Sequence, residues 1–289
     1  MAASLACTPA LLAALGHWLQ EDLGRGDLTA PALEGRSGRA HWLARQDGRF
    51  CGGVLVAPLF HRLDPQLSVR LLVADGEPVT PGQRLLELEG SAAALVAGER
   101  TALNLAMRLS GIATATAALV AELAGTGVAL ADTRKTTPGL RVLEKYAVRC
   151  GGGGNHRFGL DDAAMLKENH IAWAGGIPAA VAAVRAGAPW PARLIVEAET
   201  EAEAMAAVRC GVDAVLLDDF DPPALAALVP RLRALAAERG APVVLEASGI
   251  APAALRSYAG CGVDLISSSA PITRSPWLDL SMRFTPLLA

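Results

Sequence analysis

The sequence predicts an α/β protein. A small domain of mixed helix and strand over residues 1–110 precedes a series of strand–helix units that build a parallel sheet. Three observations carry this. Apolar runs ending in polar or charged side chains recur at Val128–Asp132, Leu194–Glu199, Ala214–Asp219, Val243–Ser248 and Asp264–Ser269. From Leu194 on, their apolar cores return about every 20 to 28 residues, the length of one βα unit, with alanine-rich helical stretches between them. Hydrophobic residues make up 52% of the chain and aromatics 4%, a composition that suits close-packed helices and strands buried on both faces. No sequence motif repeats from unit to unit, so the periodicity is structural.

The elements follow in order. Leu11, Leu12, Leu15, Trp18, Leu19 and Leu23 recur at helical spacing behind Thr8, a cap, and Pro9, a first-turn residue. A Gly- and Asp-rich turn, residues 21–31, ends this helix. Strand-like runs come next at Ala40–Arg45, Gly53–Val56, Leu67–Val73 and Arg84–Glu89, punctuated by Gly48, Gly76, Pro78, Pro81 and Gly82. Glu99–Leu109 and Ile112–Leu123 read as two helices. The texture changes at residue 126, where the strand–helix units begin. When such a sheet closes into a barrel, active sites lie at the C-terminal ends of its strands. Those ends carry Asp132, Glu197, Glu199, Asp218, Asp219, Glu246 and Ser267–Ser269. Acidic groups at one rim of an apolar barrel are costly unless bound or hydrated, so the rim reads as the site.

Composition excludes several classes. A net charge of −3 gives no global attraction to nucleic acid or an anionic membrane, so any anion-binding surface is local. The five cysteines are scattered, odd in number and without CxxC spacing, which points to reduced thiols in a cytoplasmic protein. No apolar run reaches membrane-spanning length. The N-terminal stretch lacks the basic region of a signal peptide and is expected to be a folded helix.

The chemistry concentrates between Asp132 and His170. Of 26 basic side chains only Lys135, Lys145 and Lys167 are lysine, and all lie here. Lysine is a compact point charge and arginine a planar fork, so the choice matters where geometry does. Arg134 and Lys135 stand just past a strand end, suited to gripping phosphate or carboxylate. Four consecutive glycines, Gly151–Gly154, make sense where backbone must approach a ligand closely or take unusual dihedrals. His156 and Arg157 follow at once. Lys167 and His170 would share one face of a helix. Neither a P-loop nor a dinucleotide fingerprint is present. Many cations beside few carboxylates imply a multiply anionic, phosphorylated small molecule. The carboxylates would coordinate Mg²⁺ on the phosphates or stabilise positive charge developing on a sugar carbon.

The segments ERTALNLAMRLSGIAT, DTRKTTPGLRVLEKYAVRCGGGGNHRFGL, Lys167-Glu-Asn-His, VEAE, LLDDF, LEASG and LDLSMRF, in this order from about Glu21 to Phe284, closely resemble the quinolinate phosphoribosyltransferase family. The resemblance implies an N-terminal α/β sandwich over residues 1–110, an open α/β barrel over 111–272, and a segment, 273–289, returning to the first domain. It implies a glycosyltransferase of the pentosyl class acting in NAD biosynthesis. Quinolinate and phosphoribosyl pyrophosphate would give nicotinate mononucleotide, pyrophosphate and carbon dioxide. Mg²⁺ would be held mainly through substrate phosphates, with no dedicated protein site. A head-to-tail homodimer with shared sites is expected, a hexamer being the alternative assembly. By the same resemblance Arg100 would enter the partner subunit's site. Thr133, Arg134, Lys135, His156, Arg157 and Lys167 would line the anion pocket. Glu197 and Asp218 would face ribose and metal. Ser248, Gly249, Ser267, Ser268 and Ser269 would hold the 5-phosphate. The expected catalytic set is Lys135, Lys167, Glu197 and Asp218.

Three positions depart from the family pattern. Gly249 stands alone before Ile250 where the family has a double glycine. The last phosphate loop reads ISSSAPITRS, with Arg274 where a histidine commonly falls. Asp219 replaces a common asparagine. The alternatives are a phosphoribosyltransferase of the same fold with another acceptor, a Schiff-base aldolase using Lys135 or Lys167, and a silent binder of phosphoribosyl compounds.

Overall fold

The computed structural model describes residues 3–287. Along the chain come α1 (Pro9–Leu23), β1 (Ser37–Ala44), β2 (Gly48–Arg49), α2 (Gly53–Phe60), β3 (Ser68–Leu71), β4 (Pro78–Val79), β5 (Arg84–Ser91) and α3 (Ala92–Glu122). Then follow β6 (Ala129–Ala131), α4 (Arg141–Cys150), β7 (Ala164–Leu166), α5 (Glu168–Ala174), α6 (Ile177–Gly187), β8 (Leu194–Ala198) and α7 (Glu201–Arg209). The last are β9 (Ala214–Leu217), α8 (Pro222–Glu238), β10 (Val244–Ala247), α9 (Leu255–Ala259), β11 (Leu265–Ser267), α10 (Ala270–Thr273) and β12 (Leu280–Pro286). The chain folds as two compact units. One takes the chain up to Ala117, Leu143–Gly152 and the stretch from Arg274 onward; the other takes Ala118–Val142 and Gly153–Thr273.

In the first unit an antiparallel sheet of order β12-β1-β5-β3 packs on α1, α2 and α3. Alternation sets its faces: Ala40, Trp42 and Ala44 point into the core while Arg39 and His41 do not. Trp42 stands beside Leu86 on one neighbour and Met282 on the other. The Thr8 hydroxyl accepts from the Leu11 amide at 3.2 Å and caps α1, as its sequence predicts.

Two expectations fail here. Gly53–Val56 is not a strand but the first turn of α2, which continues through Phe60. Gly52, at φ +108°, starts it, and Asp75 Oδ1 accepts from the Gly53 amide at 2.8 Å. A short all-apolar run carries no period that separates buried helix from buried strand. The two helices expected around Ser110-Gly111 are one, α3. The Ser110 hydroxyl bonds both the amide and the carbonyl of Cys51, at 2.8 and 3.1 Å. A Cβ on Gly111 would lie 2.0 Å from the Pro276 carbonyl oxygen. Residues that look like a break are therefore adaptors for close packing. By length and composition α3 could cross a membrane, but its buried Leu95, Ala102, Leu103 and Ala106 belong to the core of this unit.

The second unit is a six-stranded, wholly parallel sheet of order β6-β11-β10-β9-β8-β7. Register fixes its faces, since paired residues of adjacent strands point the same way. Leu166, Val196, Val215 and Leu245 form one row, and Leu217, Ala247, Ile266 and Leu130 another; both pack on the helices. The opposite face carries Met165, Ile195, Ala214 and Leu216 deep in the barrel. In register with Leu216 on its two sides stand Glu197 and Glu246. β7, three residues long, is the strand that its sequence does not announce.

Gly111→Ala should lower the unfolding free energy by roughly 1–3 kcal/mol, because the added methyl overpacks against backbone. Chemical denaturation checks this; an unchanged midpoint would show that the Pro276 segment yields freely.

Candidate active site

Strand polarity brings the polar residues of the second unit to one rim. Thr133, Arg134 and Lys135 follow β6, Lys167 follows β7, Asp218 follows β9, Ser248 and Gly249 follow β10, and Ser268 and Ser269 follow β11. Glu197, Glu246 and Ser267 lie within strands β8, β10 and β11. Glu197 and Asp218 share the inner face.

The rim is tied together by ion pairs and hydrogen bonds. Lys167 Nζ lies 2.5 Å from Glu197 Oε2. The Ser248 hydroxyl donates to Asp218 Oδ1. Gly249, at φ +75°, leaves room beside these groups: a Cβ there would stand 2.4 Å from Asp219 Oδ1. Among the described residues Asp219 is the non-glycine residue with positive φ, +57°, a conformation that aspartate tolerates. Two of the departures noted in the sequence, Gly249 and Asp219, are thus neighbours across the turns that follow β10 and β9.

The glycine run and its successors form an edge strand in all but length. The Gly154 amide donates to the Leu130 carbonyl at 2.7 Å, and the Asp132 amide to the Gly154 carbonyl at 3.2 Å. Asp132, only 1% exposed, accepts from Asn155 Nδ2 at 2.7 Å and from the His156 amide at 2.8 Å. The glycines answer to packing as much as to a ligand: in the first unit a Cβ on Gly151 would lie 2.5 Å from both the Ala113 carbonyl oxygen and Thr116 Cβ. His156 Nε2 lies 3.2 Å from Glu246 Oε2. Arg157 Nη1 donates to the Ala163 carbonyl at 2.8 Å.

The electrostatics record which charges converge. Burial first, and then the charge of Arg134, pulls the Arg157 guanidinium below its ordinary value, with Asp162 and Glu197 opposing. Arg134 and Glu197 thus both bear on Arg157, and Glu197 also holds Lys167. Among the described residues neither Arg134 nor Lys135 has an ion-pair partner at its side chain, and both are exposed. On the acidic side, Glu168 raises the Glu199 carboxyl above its usual range, followed by the small effect of burial and by Glu203 and Asp218.

Other candidates lie elsewhere. Arg100 belongs to the first unit, on α3, its side chain 61% exposed and 3.8 Å from Glu99. Lys145 is wholly buried in that unit and is not a rim cation. Lys167 and His170 do not share a helix face: Lys167 caps α5, its amide donating to His170 Nδ1 at 3.2 Å. Ser269 uses its carbonyl to accept from the amides of Ile272 and Thr273. Glu246 makes the rim contact that sequence reasoning missed; its place among the strand-end acids was visible, its reach to His156 was not. Cys51, Asp75 and Cys150 cluster in the first unit, their ligand atoms within 4.8 Å of one another. Burial drives the Cys51 thiol well up, while its hydrogen bond to Cys51 holds the Cys150 thiol below its ordinary value, and Asp75 is already bonded to Gly53 and Tyr146, so Cys51 is disfavoured as the thiolate that a metal requires.

Two family profiles match the chain: "Quinolinate phosphoribosyl transferase, C-terminal domain" over residues 112–283 and "Quinolinate phosphoribosyl transferase, N-terminal domain" over residues 27–110. A probable carboxylating nicotinate-nucleotide pyrophosphorylase of Synechocystis is 45% identical over 272 residues, covering 93% of this chain and 90% of that protein. The carboxylating nicotinate-nucleotide pyrophosphorylase of Homo sapiens is 37% identical over 284 residues, 97% of this chain and 94% of its own. The crystal structure of NadC from Streptococcus pyogenes superposes with a TM-score of 0.89 at 36% identity, covering 98% of this chain and all of that one.

The anchoring of the glycine loop has a measurable consequence. Asp132→Ala removes the acceptor for two hydrogen bonds and should cost roughly 3 kcal/mol of stability. Thermal and chemical denaturation read this directly; a loss below the error of either would mean that water replaces the carboxylate without cost.

Proposed function

The chain belongs to the quinolinate phosphoribosyltransferase family, and from that premise we infer how its barrel mouth works. It transfers a phosphoribosyl group to quinolinate with decarboxylation, in NAD biosynthesis. The observation that carries the assignment of residues is the Lys167–Glu197 ion pair at the C-terminal strand ends, the same rim that carries Asp218 and Arg134, with Arg134 and Glu197 both bearing on Arg157.

Quinolinate carries two adjacent carboxylates, so its binding calls for several fixed cations. Arg134 and Arg157 suit it through two-point contacts, and Lys135 and Lys167 as point charges. Departure of pyrophosphate leaves positive character at the anomeric carbon. Glu197 and Asp218, on the inner face, stabilise that charge where it develops. The ring nitrogen becomes cationic on glycosyl transfer, which makes loss of the neighbouring carboxylate easier. The protein need only orient the ring and balance charge, with no nucleophilic side chain. The Ser248, Ser267, Ser268 and Ser269 hydroxyls and the side-chain-free backbone at Gly249 suit the 5-phosphate.

Mg²⁺ is the proposed cofactor, neutralising the pyrophosphate as it departs. The donors fit it: Glu197 and Asp218 offer the one or two carboxylates that Mg²⁺ takes when substrate phosphates supply the rest. The proposed assembly is a cytoplasmic homodimer with shared sites, in which the exposed Arg100 of each subunit completes the other's pocket.

Initial rates with quinolinate against nicotinate test the acceptor; turnover of nicotinate alone would overturn this reading in favour of a sister enzyme. Chelation of divalent ions should abolish turnover and Mg²⁺ should restore it. Lys135→Ala and Arg157→Ala should each lower kcat/KM about 100-fold or more, with the thermal midpoint of Lys135→Ala little changed. Near-wild-type rates would remove the residue from the site. Mixing Arg100→Ala with Lys135→Ala subunits should recover about a quarter of wild-type activity, since half the random dimers would each hold one intact site. A mixture as inactive as its parents would exclude shared sites.

A further inference from the structure

We propose that buried Glu246 fixes His156 as the neutral Nε2–H tautomer, making this histidine a positioning residue for Arg157 and not a cation for the substrate. The inference deepens the reading of the barrel mouth given above and rests on it for the activity arm of its test.

Three contacts at one ring carry it. Glu246 is 1% exposed, on the inner face of β10, with Oε2 3.2 Å from His156 Nε2. The Arg157 amide nitrogen stands 2.8 Å from His156 Nδ1. The His156 amide donates to Asp132 Oδ1 at 2.8 Å. A backbone amide can only donate, so Nδ1 must present its lone pair and holds no proton. A carboxylate accepts, so the ring proton belongs on Nε2, directed at Glu246. Protonating the ring would set a second hydrogen on Nδ1 against the Arg157 N–H and break that contact. Of the charged residues around it, Glu246 from β10 bonds the ring, Asp132 from the end of β6 bonds the backbone amide of the same residue, and Arg157 bonds the ring through its backbone amide.

The remaining oxygen of Glu246, Oε1, has no hydrogen-bond partner among the described residues. A carboxylate kept in that position without full solvation is expensive, and its use here is the bond to His156. The chain of contacts is then continuous. Asp132 and Glu246 hold residue 156 by backbone and ring, the ring holds the amide of residue 157, and Arg157 Nη1 meets the Ala163 carbonyl at 2.8 Å. With His156 neutral, the positive charge that one subunit's barrel mouth offers to a dianionic acceptor comes from Arg134, Lys135, Arg157 and Lys167.

The test uses the full-length enzyme labelled with ¹⁵N-histidine. The chain has five histidines, and the His156 signals are those missing from His156→Asn. The expected spectrum at neutral pH shows an unprotonated Nδ1 and a protonated Nε2 for His156. Glu246→Ala should release the ring to average between tautomers and lower kcat/KM for quinolinate about 100-fold, the scale of a misplaced binding group. Glu246→Gln keeps an oxygen that accepts from Nε2–H; it should retain the tautomer and recover at least a tenth of the wild-type rate. Two protonated ring nitrogens in the wild type, or a tautomer unmoved in Glu246→Ala, would overturn the proposal. Should Glu246→Ala fail to fold, the wild-type and Glu246→Gln spectra decide. Absence of quinolinate turnover in the wild type would strike the functional reading instead, and the spectra would still judge the tautomer.

Discussion

Two carboxylates withdrawn from water, Asp132 and Glu246, govern the mouth of the barrel. Each is 1% exposed, and a charge so placed must be matched by donors. For Asp132 these are the Asn155 amide group and the His156 backbone; for Glu246 the donor is the His156 ring. These donors come from the two residues that directly follow the glycine run, Asn155 and His156. That run gives the chain the freedom to lie along β6, as the Gly154–Leu130 and Asp132–Gly154 bonds require. Arg157 is therefore delivered by an element locked to the sheet, and its guanidinium is a fixed charge with little conformational entropy left to lose on binding.

The mouth also holds like charges closer than they would choose. Arg134 bears on Arg157, and Glu168 bears on Glu199, each shifting its neighbour toward the neutral form. Such repulsion is a standing cost that an anion between the arginines would relieve. Lys167 is different, since Glu197 already holds it at 2.5 Å. An arriving phosphate or carboxylate would have to share or displace that carboxylate. One pair of arginines is thus poised for a ligand, and one lysine is held in reserve by its counter-charge.

Much of this was legible in the residues. Apolar runs closed by Asp132, Glu197, Asp218 and Ser248 gave away the strand polarity, because a parallel strand buried on both faces can turn polar only where it ends. Thr8 and Pro9 marked a helix start through backbone chemistry that is local. What escaped was whatever depends on partners distant in sequence. Gly53–Val56 looked like a strand because four apolar residues carry no period. Ser110-Gly111 looked like a break because its use, contact with Cys51 and with Pro276, comes from chain 59 and 165 residues away. β7 is only three residues long and so resembled the surrounding loop. Glu246 stood in plain view among the strand-end acids, yet only register shows that it faces inward beside Leu216, in reach of His156.

The first sheet has a consequence for how the protein is made. Its outer strand β12 pairs residue by residue with β1, Met282 beside Trp42, so the partners stand 282 − 42 = 240 positions apart. On a ribosome adding roughly 5–20 residues per second, β1 waits between about 12 and 48 s for that neighbour. Through this interval the edge that β12 will cover stays open, an invitation to pair with another nascent chain. The second unit, whose strands lie between Ala129 and Ser267, can close its sheet before β12 is translated. The half of the protein synthesised first is the half completed last, and protection of its open edge by a chaperone would matter most during translation.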